Sequence, residues 1–349
     1  MKKITFVCLQ MGSGGAERVI SILINDFVRK GYKVQLITLY SDSIEYPIPE
    51  NVDIVFLGWK LKESVIKRIL RAKQLRSAIT GDYLILLFYP IVRDTVFATL
   101  GMHKKIIASE RNYPNADAKG WFHKFIRMVS YQLSDICVFQ TEEAKAYFPK
   151  FIQKKGVVIP NPVREDLPEM FHGDREKKIV AAGRLEPQKN FSMLIKAFSK
   201  LYREFPEYDL YIYGRGSLQS ELQDLAKNLG LSEKVKLPGF VENINELMNS
   251  ASIYVSSSDY EGISNSMVEA LAMGVPTVCT DCPIGGARMM IKNGESGILI
   301  PVGDEDALYR AMKKIIEEHE FAEKISKNAY KVRDEYNANM IAQRWLELL

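Results

Sequence analysis

The chain has 349 residues, 47% hydrophobic and 26% charged, a composition and length that suit two globular domains of ordinary size and exclude a low-complexity or short-repeat protein. Four cysteines and four histidines, with one Cys-x-x-Cys pair (Cys279, Cys282) that lacks a second pair or a neighbouring histidine, argue against a zinc site or a disulfide framework. The net charge of +4 is uneven: residues 1–165 carry 25 Lys and Arg against 15 Asp and Glu, and the remainder carries 22 against 28, so the two halves are expected to meet different partners.

The chain opens with a strand-like run, KITFVCLQ, then a glycine turn, MGSGGAE, an amphipathic segment ending at Gly31, and a second apolar run, YKVQLITLY. That rhythm predicts one strand–helix–strand unit of a parallel sheet. The first run is too short for a signal peptide, so a cytoplasmic location is expected. Further buried strands are predicted at 53–58, 82–89, 104–110, 135–141 and 156–163. The apolar run 83–92 is half the ~20 residues a transmembrane helix needs. The rhythm restarts with strands at 177–185, 208–216, 234–240, 252–258 and 276–281, separated by helical stretches. The fold class is therefore α/β, with two Rossmann-like doubly wound domains. The boundary is expected in the Pro-rich, charged stretch 160–177, giving domains 1–165 and 166–331.

Two stretches of the second half carry candidate chemistry. In GRLEPQKNF, Arg184 follows a strand end and Lys189 precedes a helix. Two cations there fit a diphosphate at the crevice where such sheets bind ligands, and equally fit a solvated loop. In SDYEGISNSMVEALAMGVP, a loop with Glu261 runs through Gly262, Ser264 and Asn265 into a helix with Glu269. Helix starts bind phosphate. Glu261 and Glu269 lie roughly 12 Å apart if the intervening residues are mostly helical, about the span from sugar to ribose in a nucleotide sugar. Each carboxylate can accept hydrogen bonds from two vicinal hydroxyls, although most glutamate pairs at this spacing are surface acids. Gly14 and Gly15 in the first glycine turn permit close backbone approach to a ligand, a weak signal alone.

Together MGSGGAE, AGRLEPQKN, YGRGS, LPGF and SDYEGISNSMVEALAMGVPTVCTDCPIGGAR resemble the retaining glycosyltransferases with two Rossmann-like domains (the GT-B fold), often called glycosyltransferase family four, over nearly the whole chain. The resemblance extends to bacterial transferases that build lipid-linked oligosaccharide and polysaccharide, N-acetylgalactosaminyltransferases among them. It implies a deep cleft between the domains, with residues 332–349 returning to the first. It further implies a nucleotide-diphosphate sugar, expected to be UDP-linked, as co-substrate, with no metal or other cofactor. By the family pattern Arg184 and Lys189 neutralise the departing diphosphate, Glu261 holds the sugar, Glu269 holds the ribose, and Gly262, Ser264 and Asn265 contact the donor. One position departs from the pattern. Many members carry a histidine in the loop that here reads ASERNYP, where Glu110 and Arg111 stand instead, so no general base is assigned and both residues are candidates for acceptor or sugar contact. A soluble acceptor, an epimerase or hydrolase, or an inactive binding module are the alternatives.

The acceptor side is expected in the basic half. Residues 59–76 contain seven Lys and Arg against one acid, with Leu61, Val65, Ile69, Ala72 and Leu75 at helical spacing. Residues 119–133 set Trp121, Phe122, Phe125, Ile126 and Val129 against Lys124 and Arg127. Such basic amphipathic helices can lie on anionic lipid, or pack against the sheet. The expectation is a peripheral enzyme at the inner face of the cell membrane, acting on a glycan or polyprenyl-diphosphate-linked acceptor, with no nucleic acid partner because no recognition motif accompanies the basic residues.

Overall fold

The computed structural model describes residues 2–12, 14–60, 65–117 and 120–349, with the side chains of 65–68 and 116–117 outside the description. The chain divides into two compact units, Met1–Pro162 with Ala338–Leu349, and Val163–Asn337.

The first unit holds a parallel sheet of seven strands: β1 Lys3–Cys8, β2 Lys33–Thr38, β3 Asp53–Phe56, β4 Tyr83–Leu86, β5 Lys105–Glu110, β6 Ile136–Phe139 and β7 Gly156–Val158, in the order β3-β2-β1-β4-β5-β6-β7. The central strands β1, β4 and β5 are buried from their second residue on, as expected where helices cover both faces of a parallel sheet. The third run differs from expectation. β3 is an edge strand with Ile54 and Phe56 exposed, since an edge strand has a neighbour on one side and helices cover it less.

The second unit holds six parallel strands: β8 Glu176–Ala182, β9 Asp209–Tyr213, β10 Val235–Gly239, β11 Ala251–Ser256, β12 Thr277–Thr280 and β13 Ile298–Ile300, ordered β10-β9-β8-β11-β12-β13. The strand order reverses once in each sheet, between β1 and β4 and between β8 and β11, and loops leaving the carboxyl ends of the strands diverge at such a point to leave a crevice.

The last helix, Ala338–Leu346, returns to the first unit, packing on the helix Gly15–Arg29 with Trp345 wholly buried. The segment crosses at 338 rather than 332, because Val332–Glu335 is a short helix of the second unit whose Val332 belongs to that core. Among the described residues no helix is long and apolar enough to cross a membrane.

Candidate functional site

The second unit's switch point sets the loop after β8 beside the loop after β11. From Gly183 the chain runs through Arg184 into the 3₁₀ turn Pro187–Lys189 and then Asn190, whose φ of 43° is left-handed. Asparagine tolerates that conformation, and its side chain caps the next helix, Phe191–Tyr202, by accepting from Met193 N at 3.2 Å. The same side chain donates to Asp259 Oδ1 at 2.7 Å. Asp259 N donates to Gln188 O at 2.9 Å, Gln188 Nε2 to Tyr260 O at 2.9 Å, and Ser257 Oγ to Lys189 O at 2.8 Å. Two loops 72 residues apart are thus laced along their backbones, leaving little freedom for the side chains they carry.

Those side chains include Lys189 and Glu261. Lys189 Nζ pairs with Glu261 Oε2, with the two side chains 13% and 21% exposed, and Ser258 Oγ donates to the same oxygen at 3.3 Å. Arg184 is exposed and donates to Gln188 Oε1 at 3.3 Å. The expected cations therefore part company: Lys189 turns inward to a carboxylate, while Arg184 stays at the surface.

The Glu261 loop is held from below. Thr280 Oγ1 and Cys282 Sγ both donate to Ser258 O, at 2.6 and 3.0 Å. All four cysteines are free and buried; burial pushes the Cys282 thiol up to about 11, which keeps it a donor at neutral pH. Gly286 opens the helix Gly286–Met290 directly against the Gly262 carbonyl, where any Cβ would collide with it. Thr280, Cys282 and the glycine loop thus serve as backing for the carboxylate loop.

The helix Asn265–Ala272 begins at Ser264, which does not cap it with its side chain. Ser264 Oγ lies 3.1 Å from Ser266 Oγ, and Ser266 receives the Tyr254 hydroxyl at 2.7 Å. Glu269 is 3% exposed. Its charge and that of Glu261 both act on Tyr254, whose hydroxyl is pushed far up, chiefly by burial. Tyr254 therefore stands within electrostatic reach of both glutamates, and Glu269 is a buried acid rather than a surface one.

In the first unit, Gly14 precedes the helix Gly15–Arg29. Glu17, in that helix's first turn, folds its carboxylate back over Gly14 so closely that a Cβ there would collide with it. The missing side chain at Gly14 thus accommodates the protein's own acid, as in a capping box. A donor phosphate at Gly14 and Gly15 would have to displace that carboxylate.

Glu110 and Arg111, adjacent at the end of β5, point into different surroundings. Glu110 is buried, accepts from the Tyr131 hydroxyl at 3.2 Å, and pairs with Arg127 at 3.8 Å. Its position inside the unit argues against the expected contact with acceptor or sugar. Arg127, expected on a basic face, is fully buried and donates to Pro114 O. Arg111 is partly exposed, donates to Asn161 Oδ1 at 2.8 Å, and lies over the Trp345 ring with its Cζ 6.0 Å from the centroid. Burial lowers its guanidinium to about 9.

In the other basic segment, residues 61–64 lie outside the described residues, as does Lys119 of 119–133. Trp59 is buried, and Arg71 stacks on Trp59 and Tyr40. Arg71 therefore faces its own domain. Among the described residues no group of three His, Cys, Asp or Glu side chains gathers to hold a metal.

Gln188, Asn190, Ser257, Asp259 and Tyr254 were not singled out from sequence. Asn190, directly before an apolar helical run, carried a readable cap signal; the others make sense only once β8 and β11 are known to be neighbours.

Residues 163–332 match the family model described as glycosyl transferases group 1. The chain is 27% identical, over 100% of its length and 98% of the relative's, to the Campylobacter jejuni GalNAc-alpha-(1->4)-GalNAc-alpha-(1->3)-diNAcBac-PP-undecaprenol alpha-1,4-N-acetyl-D-galactosaminyltransferase. It is 29% identical, over 95% of each chain, to the same organism's N-acetylgalactosamine-N,N'-diacetylbacillosaminyl-diphospho-undecaprenol 4-alpha-N-acetylgalactosaminyltransferase. Among solved structures, Anabaena HepE in complex with UDP and glucose superposes with a TM-score of 0.83 at 19% identity, covering 99% of both chains.

Proposed function

We propose that the chain, a glycosyltransferase of the GT-B fold whose residues 163–332 match the glycosyl transferases group 1 model, moves an N-acetylhexosamine or hexose from a UDP-sugar to a lipid-linked, diphosphate-bearing acceptor at the inner face of the cell membrane. The observation that carries this is the Lys189–Glu261 pair, set at the β8/β11 switch point beside the start of the Glu269 helix. Lys189 and Arg184 would neutralise the diphosphate together with the helix start, where Gly262, Ser264 and Asn265 stand. Glu261 would accept from sugar hydroxyls and Glu269 from the ribose. In the reaction the bond from the sugar's anomeric carbon to the phosphate oxygen breaks, and the acceptor hydroxyl oxygen bonds to that carbon on the same face. The departing phosphate oxygen takes the acceptor's proton, so UDP leaves with the bonding electrons and no side chain need act as base. Lys189, held at the switch point by Glu261, would be drawn to or shared with the diphosphate and stabilise its developing charge. The names of the Campylobacter relatives support the acceptor class, and the UDP complex of HepE supports the nucleotide.

A thermal-shift panel of UDP, GDP and ADP tests the donor assignment. UDP at 100 times its dissociation constant should stabilise the folded chain by about 2.7 kcal/mol, with GDP and ADP giving far less. A larger shift with either purine nucleotide would exclude a uridine donor.

Membrane association is supported by one helical layer of the first unit. The helix Tyr89–Ala98 packs between Val65–Ala78 and Trp121–Leu133. The first turn of the last exposes Trp121 (80%), Phe122 and Phe125 around Lys124, and Ile69 and Leu70 are exposed on the first. Aromatic rings left in water beside a lysine suit the interface of an anionic bilayer. Changing Trp121, Phe122 and Phe125 together to serine should cut co-flotation with phosphatidylglycerol vesicles at least tenfold while the UDP thermal shift stays as in wild type. Undiminished flotation would remove this helix from the membrane surface.

A further inference from the structure

Arg111 stands at the carboxyl end of β5 with more donors than the described residues satisfy. One terminal nitrogen donates to Asn161 Oδ1 at 2.8 Å, and that oxygen also receives Gln140 Nε2 at 2.6 Å. Two donors thus share one amide oxygen. Among the described residues the other terminal nitrogen, Nη1, is buried with no hydrogen-bond partner, and so is Nε1 of Trp345, the ring over which the guanidinium lies. The neighbouring acid, Glu110, is engaged with Tyr131 and Arg127 instead. The cluster at the ends of β5, β6 and β7 therefore holds a positive charge and, among the described residues, two buried N–H groups without an acceptor. A guanidinium's planar fork matches two oxygens of a phosphate, and buried donors left unsatisfied are a standing cost that such a ligand relieves.

We infer that Arg111 is an anion-binding residue of the first unit that takes the diphosphate of the acceptor, separate from the donor diphosphate held by the second unit. The inference rests on the lipid-diphosphate reading of the acceptor and assigns it a residue.

Titration calorimetry of the full chain with inorganic pyrophosphate, UDP being kept saturating so that the donor subsite is filled, is the test. Wild type should bind pyrophosphate in this state, geranyl diphosphate should compete for the same site, and geraniol should not. Arg111→Gln should weaken pyrophosphate binding tenfold or more without changing the UDP thermal shift. Arg111→Lys, which keeps the charge but loses the fork, should fall between the two and serves if the glutamine variant does not fold. The assignment is overturned if Arg111→Gln binds pyrophosphate as wild type does, if saturating UDP abolishes pyrophosphate binding, or if the variant loses the UDP shift in parallel. Pyrophosphate binding that needs Arg111 but does not yield to geranyl diphosphate would overturn the acceptor assignment. Loss of the Arg111 dependence with UDP stabilisation intact sinks this assignment alone, whereas a wild type that UDP does not stabilise sinks the donor reading and this inference with it.

Discussion

Lys189→Ala is expected to lower kcat by about 10²–10³-fold, the range seen when one preorganised donor to a developing oxyanion is removed, with a Tm within a few degrees of wild type. The ammonium is held for a charge that comes and goes. Its stem runs past Gly183, where a Cβ would sit 2.9 Å from Lys189 Cε, and its resting partner is Glu261. A donor diphosphate must draw the lysine away from that carboxylate, or share it. Glu261→Gln separates this role from a purely structural one. The lysine then has no anion to leave, so UDP should bind about three- to tenfold more tightly, while transfer slows because the sugar loses its carboxylate. Both side chains keep some solvent contact, so breaking the pair should cost the fold little. Two results would refute the clamp: normal turnover in Lys189→Ala, or UDP binding weakened by Glu261→Gln.

The way this pair comes together marks where sequence reasoning reaches and where it stops. Arg184, Lys189, Glu261 and Glu269 could be named as candidates from sequence because they stand in the loops that follow two apolar runs and in the helix after the second. That Lys189 touches Glu261 could not be read there, because contact across 72 residues depends on β11 lying beside β8, and strand order leaves no local trace in the chain. The seven- and six-stranded parallel sheets could be read from the strand–helix rhythm, except β13, whose three residues are too short to show a period. In the helix Trp121–Leu133 only Arg127 departs from the expected basic, aromatic-faced surface helix. An arginine flanked by aromatics looks like a polar face, yet Arg127 is the buried member and Trp121, Phe122 and Phe125 are outside. What draws Arg127 inward is Glu110, at a strand end 17 residues earlier.

That buried pair gives the largest stability effect expected in the molecule. Arg127 and Glu110 have side chains 0% and 1% exposed, with Nε and Oε2 3.8 Å apart. The guanidinium also lies over the Tyr89 ring, 4.5 Å from its centroid, and donates to Pro114 O. Arg127→Met removes one charge and leaves a carboxylate inside the unit with the Tyr131 hydroxyl as a neutral donor. Uncompensated buried charges cost about 3–5 kcal/mol, roughly a 10 °C fall in Tm for a unit of this size. Glu110→Leu should cost a similar amount by stranding the arginine. The double variant should recover much of the loss, ending within about 2 kcal/mol of wild type, because apolar side chains pay no desolvation in the same space. Tyr131 makes the recovery feasible: its hydroxyl also donates to Ser109 O at 3.2 Å, so it keeps an acceptor when Glu110 is gone. Thermal melts of the two single variants and the double close the cycle. A double variant less stable than either single one would mean that the pair is held by its contacts to Tyr89 and Pro114 rather than by charge compensation.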